Sequence, residues 1–298
     1  MNKKIVLSIL AATSLLYGYN DGYDSDDSSE ESTLVKNQTV VNNIIADATK
    51  TDLAENDKHA GMGGTTKRFA ATAQYIYSDK INIFNIPLGM NVGYGFGVEV
   101  NVPVVLVDKE ASPTGENESG LGDISAGINY HYGFMAAPSG LSIFTVLYKT
   151  TTGDEKKGLG SGADAYSFSY KYAKSFGKYA LHALGNYTIN NTYDGTGWSV
   201  DYGDSYMAMI GGSMPCLLSD KVTTSAKLNY FHGDENENSW GTEFGKVDTV
   251  DLWVQWDTTE LIKNVPLGAG VKIPLMNEVD DKDVDKKFSF YVSISGLF

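Results

Sequence analysis

Nine side chains hold most of the chemistry that this sequence could offer: Glu99, Asn101, Asn129, His131, Lys171, Lys227, Asp251, Gln255 and Lys272. They are amides and charges of both signs, set singly in runs where apolar residues alternate with them. Polar groups dispersed in this way can line a path and sort what passes along it, or they can neutralise one another in a wall of ion pairs. They do not assemble a reaction centre. His59, His131, His182 and His232 show no paired metal-ligand spacing and no nucleophile elbow, so the expectation is no catalytic residue, no metal, no cofactor and no enzyme activity. Gly93, Gly95 and Gly97 in GYGFG lack the helix start that a phosphate loop requires, and read as a strand bend. The acidic stretch NEVDDKDVDKK lacks the glycine and terminal glutamate of a calcium loop. It reads as a solvated face, or as a divalent-cation site shared with lipid A phosphates.

Those nine residues need a frame, and alternation with period 2 supplies it. Val222, Thr224, Ala226, Leu228 and Tyr230 oppose Thr223, Ser225, Lys227 and Asn229. Val250, Leu252, Val254 and Trp256 oppose Asp251, Gln255 and Asp257, with Trp253 an exception in the polar row. In the last strand Phe288, Phe290, Val292, Ile294, Gly296 and Phe298 share one face against mainly Ser and Tyr. A soluble antiparallel sandwich would alternate too, but here the apolar rows end in Tyr or Trp, as at a lipid interface. About twelve such runs fall near 66–77, 81–91, 95–107, 121–133, 140–150, 163–175, 178–190, 202–214, 220–231, 246–257, 266–276 and 287–298. Each is roughly the ten residues that a tilted membrane strand needs.

The fold expected is therefore all-β, a transmembrane antiparallel β-barrel over residues 66–298. Connections should alternate between short turns and longer loops, and all the longer ones should reach one side. All nine polar residues then point inward. Eight strands leave an interior that side chains fill and sixteen leave an aqueous channel, so about twelve can hold a narrow pore or a plugged one.

Upstream, Lys3 and Lys4 followed by the apolar Ile5–Tyr17 read as a secretory signal over residues 1–18. Residues 19–33 are acidic and of low complexity, too polar to offset the entropy of ordering. Residues 34–65 carry Leu34, Val41, Ile44, Ile45 and Ala48 at helical spacing, for a short amphipathic helix that is a plug or a tether. Composition agrees with a barrel: 32 Gly, 19 Tyr and 12 Phe against 7 Pro suit many strands, tight turns and interfacial aromatic rings. A net charge of −14 argues against nucleic acid as a partner. Cys216, the single cysteine, reads as a small hydrophobe. The expected partners are outer-membrane lipid and lipopolysaccharide, a small-molecule solute, and the barrel assembly machinery through Phe298, with the protein a monomer.

The segments SGLGDISAGINYHYG at 119–133 and GLGSGADAYSFSYKYAKSFGKYALHALGNYTIN at 158–190 add a resemblance. Gly120-Leu-Gly-Asp123 resembles the G-[LF]-G-D element that opens a strand in the outer-membrane transporter-like proteins of the MetA-pathway of phenol degradation family. Lys174-Ser-Phe-Gly177 resembles the turn that ends a later strand there. The likeness covers roughly residues 66 to 298, and the acidic N-terminal run lies outside it. It implies a Gram-negative outer-membrane barrel, distantly similar to fatty-acid and toluene uptake channels, that passes small organic, including aromatic, compounds. The alternative is a structural or surface-interaction barrel with a closed lumen.

Overall fold

A computed structural model describes residues 68–78, 80–133, 140–176, 178–195, 198–216, 219–262, 265–280, 282–283 and 288–297. The segments expected as a signal, an acidic run and a short helix (1–18, 19–33 and 34–65), together with His59 and Phe298, lie outside them. Twelve long strands are present among the described residues: β1 (Arg68–Ser78), β2 (Ile81–Gly93), β3 (Phe96–Val107), β4 (Ser125–Gly133), β5 (Leu141–Lys149) and β6 (Ala165–Phe176). They continue with β7 (Tyr179–Asn190), β8 (Ser205–Cys216), β9 (Ser219–Gly233), β10 (Val247–Ile262), β11 (Val265–Val279) and β12 (Ser289–Leu297). Each is antiparallel to its chain neighbours, and β12 returns to pair with β1 from Ala70–Leu297 to Tyr77–Phe290. The sheet is closed. Closure removes the unpaired edge, which hydrocarbon could not satisfy.

Side-chain parity follows the sequence pattern. On β3, Val98, Val100, Val102, Val104 and Leu106 face out, while Glu99, Asn101, Pro103, Val105 and Val107 face in. On β4, Ile128, Tyr130 and Tyr132 are exposed, at 58%, 37% and 62%, and Asn129 is buried between them. In water so large an apolar surface would be a liability, whereas on a barrel it is the lipid-facing band. Its margins carry paired aromatic rings. Tyr148–Tyr166 and Tyr206–Tyr230, with centroids 5.0 and 5.9 Å apart, mark one end. Phe96–Tyr130, 4.9 Å apart, marks the other.

The long connections at 108–124, 150–164, 191–204, 234–246 and 280–288 all emerge at the end where β3 finishes and β4 begins. By the usual asymmetry of such barrels this rim is external. The first outer hairpin, between β1 and β2, is short. At the opposite rim β2 turns into β3 through Tyr94 and Gly95, both with positive φ (55° and 83°). Two such residues make the mirror-image hairpin turn whose twist matches the flanking strands, so the strand bend expected at GYGFG is a two-residue turn instead. A Cβ on Gly95 would lie 2.6 Å from the His131 carbonyl oxygen. Gly95→Val should therefore destabilise the barrel by about 2 kcal/mol or more, visible as a lower urea midpoint for loss of heat-modifiable gel mobility. Cys216 is half-buried at a register shift next to Pro215, at the end of β8.

Candidate functional site

All nine residues anticipated on the inner wall stand there. The structure divides them into two groups. On β3 and β4, Asn129 Nδ2 donates to Glu99 Oε2 at 3.2 Å, and His131 Nε2 is 2.8 Å from Asn129 Oδ1. Lys171, on β6, acts electrostatically on the same Glu99 carboxylate. On β9–β11, Lys272 Nζ pairs with Asp251 Oδ2 at 2.8 Å and lies 5.8 Å from the centroid of the Trp253 ring. Lys227 Nζ donates to Gln255 Oε1 at 3.3 Å, and Gln255 Nε2 donates to Asp257 Oδ1 at 2.7 Å. Trp253, the exception in the polar row, thus faces inward as the surface on which a lysine rests. Gln255 and Asp251, which Lys227 and Lys272 meet, lie on adjacent strands of the same wall, as diagonal neighbours within reach of a long side chain. Asn101 is buried with both amide atoms unpartnered.

Among the described inward side chains, Lys149, Lys171, Lys227 and Lys272 stand against Glu99, Asp123, Asp251 and Asp257. The inner wall is close to neutral. The chain's −14 is concentrated instead in the outer loops, with Asp108, Glu110, Glu116 and Glu118 in one and Asp234, Glu235, Glu237 and Glu243 in another.

The mouth carries a feature that strand periodicity could not show. The line of β4 extends upward through a short strand, Glu118–Leu121, but breaks at residues 122–124. Backbone groups at such a break need partners, and the next loop supplies them. The Ile124 amide donates to Thr152 Oγ1 (2.8 Å), the Thr152 hydroxyl donates to the Gly122 carbonyl (3.0 Å), and the Thr150 amide donates to the Ile124 carbonyl (2.8 Å). Asp123 at the break is buried. Its carboxylate accepts the Gly153 amide at 2.9 Å and the Ser161 amide at 2.7 Å, with the Ser161 hydroxyl at 2.6 Å and Lys149 Nζ at 3.9 Å. One carboxylate therefore holds both ends of loop 150–164. The approach is close enough that a Cβ on Gly160 would lie 2.4 Å from Asp123 Oδ1, which is why GLGSG is glycine-rich here.

Clamped in this way, the loop sets Leu159 against Ile81, Ile83, Val105, Val107 and Ala111 as an apolar cluster on the inner wall of β2 and β3. The third outer loop also meets the fourth. Asn191 Nδ2 donates to Asp164 at 3.0 Å, and this bond, ahead of that from Tyr148, holds the Asp164 carboxyl below its ordinary range. Residues 192–195, 198–201, 236–238 and 243–244 form a four-stranded sheet above the rim, drawn from two loops. A cavity of about 40 Å³ opens beneath, lined by Lys149, Ser161, Asn190, Tyr202 and Asn236 among others.

The described histidines do not gather. His182 Nε2 lies 3.3 Å from Ser213 Oγ on the inner wall. His232 is on the outer face, between Asp248 at 2.8 Å and Asp234 at 3.0 Å.

The closed meander, apolar outer band and polar inner wall define an outer-membrane β-barrel. The COG4313 outer membrane channel from Pseudomonas putida F1 has the same fold, with a TM-score of 0.62 at 16% identity over 80% of this chain and 97% of that one. More distant likenesses are the NanC porin (TM-score 0.48, 8% identity, 76% and 98% covered) and the translocator domain of the autotransporter NalP from Neisseria meningitidis (0.43, 13%, 89% and 97%). Neither a protein-family model nor a curated protein matches the sequence.

Proposed function

We infer that this barrel is a monomeric channel of the outer membrane, without enzymatic activity, through which small organic solutes pass by diffusion. The observation that carries the reading is the inner wall: a near-neutral surface of amides and charges of both signs, from Glu99 and Asn129 to Asp251 and Lys272. Such a wall solvates a polar solute without trapping it. The fold of the Pseudomonas putida channel supports this reading, as does the resemblance of GLGD and KSFG to the phenol-degradation transporter family. The nine inner residues form the solute path, the acidic outer loops meet lipopolysaccharide and its cations, and Phe298 is the contact for the barrel assembly machinery.

The apolar cluster around Leu159 favours a second reading, a surface-interaction barrel closed at the mouth. Planar bilayers separate the two. Discrete single-channel openings in KCl are expected from the purified protein. A barrel that assembles, shown by heat-modifiable mobility, yet stays electrically silent would overturn the channel reading and leave the structural one.

A further inference from the structure

Three amides on the inner wall are unused by the protein's own hydrogen bonding. Both side-chain polar atoms of Asn85 and of Asn101, and Gln74 Oε1, are buried without a partner, and the three residues are 0%, 2% and 3% exposed. Leaving such groups unmade costs about 1–3 kcal/mol each, and native proteins seldom hold several together. Here they are adjacent. Gln74 of β1 pairs with Asn85 of β2. Asn85 pairs with Pro103 and Asn101 with Pro87, which makes the two asparagines diagonal neighbours across β2 and β3. The result is a ladder of amides over three consecutive strands. Across the seam the same wall continues with Tyr291, opposite Ile76, its ring centroid 5.4 Å from that of Trp253. Trp253 Nε1 is buried without a partner as well. The apolar cluster that includes Leu159, Ile83 and Val105 lies on the external side of the ladder.

We propose that this stretch of wall is a binding track for an uncharged, polyhydroxylated solute of monosaccharide or polyol size. An amide presents two donors and an acceptor oxygen, which matches hydroxyl groups that both give and take hydrogen bonds. It carries no charge that would call for a counter-ion. The Trp253–Tyr291 pair, its ring planes 47° apart, adds an aromatic face for the C–H face of a sugar ring, and the indole N–H a further donor. A carboxylate solute would have to compete for Lys272 with Asp251, already 2.8 Å away. The inference rests on the channel reading and narrows its solute class.

The test uses the full-length protein in planar bilayers and liposomes, with a neutral hexose and the corresponding hexuronate as probes. Hexose should reduce the KCl current saturably and should enter liposomes faster than hexuronate. In Asn85→Leu/Asn101→Leu the half-blocking hexose concentration should rise by about tenfold, the loss expected from two net hydrogen bonds, read as fractional block of whatever KCl current that variant carries. Asn85→Ser/Asn101→Ser, which keeps hydroxyls, should fall between the two, and it serves in place of the leucine variant if that one does not assemble. A wild type that conducts KCl but is not blocked by hexose overturns the track and leaves the channel standing, as does equal block in wild type and variants. A wild type that passes neither ions nor hexose overturns both.

Discussion

Asp123→Ala should raise the single-channel conductance of the reconstituted barrel by about twofold or more and make the open level noisy, because it unties the middle of a loop that is otherwise bonded to its surroundings mainly near its ends, at Thr150, Thr152 and Asp164. The carboxylate accepts two backbone amides, from Gly153 and Ser161, that flank the middle of the third outer loop. Removing it leaves both buried donors unmade and Lys149 without its nearby acid. Between those end bonds, what then holds Leu159 on the inner wall is a small apolar cluster, with the Lys157–Glu118 ion pair beside it at 3.4 Å. The barrel itself should survive, since the pairings of β3, β4 and β5 do not involve the Asp123 side chain. Limited proteolysis supplies a second measurement: the variant should be cut within 153–161 at protease concentrations that leave the wild type intact. Unchanged conductance together with an uncut loop would show that the clamp is not what positions it.

Leu228→Lys should abolish most assembly, whereas Lys227→Glu, one residue away, should leave assembly intact and move ion selectivity towards cations. Leu228 is exposed on the outer face of β9 and pairs with Ile210 and Leu252 on the flanking strands. An ammonium group there meets hydrocarbon, at about 2–4 kcal/mol near the bilayer midplane. Lys227 points to the inner wall, toward Gln255, where a reversed charge remains hydrated and changes only the field that a passing ion meets. Heat-modifiable mobility reads the first effect and reversal potential in a KCl gradient the second. If Leu228→Lys assembled normally while Lys227→Glu failed, the register of β9 would be wrong by one residue, which exchanges every side chain between the two faces.

The barrel was legible because parity is a local property. Val98 to Leu106 and Ile128 to Tyr132 declare their faces within one strand, and the nine inner residues follow from the same alternation once the strand is placed. The Tyr94–Gly95 turn straddles the start of the strand expected at 95–107, because GYGFG places three glycines at alternate positions and the sequence does not say which one takes positive φ. The loop clamp was not legible. Asp123 meets Gly153 and Ser161 from 30 and 38 residues away, so GLGD and GLGSG could be noticed as motifs but not as partners. The rim sheet is similar, joining residues 198–201 to 236–238 across an intervening hairpin of the barrel. Gln74 and Asn85 were passed over for another reason. The run INIFNIPLGM is apolar on both faces and carries an asparagine on each, Asn82 and Asn85, so neither gave a direction, and only the pairing of Gln74 with Asn85 reveals that Asn85 points inward.

The plain meander has a consequence for how such proteins diversify. Apart from the β1–β12 seam, every barrel pairing joins strands that are neighbours along the chain. Duplicating or deleting one hairpin would leave the registers of the remaining hairpins as they are and ask only the seam to re-form. Circumference is then inherited in steps of two strands, matching the even strand numbers of bacterial barrels. Point substitution acts on the other variable, the lining. Bore and lining can therefore drift separately in descent, and two barrels of equal girth need share little of what their interiors select.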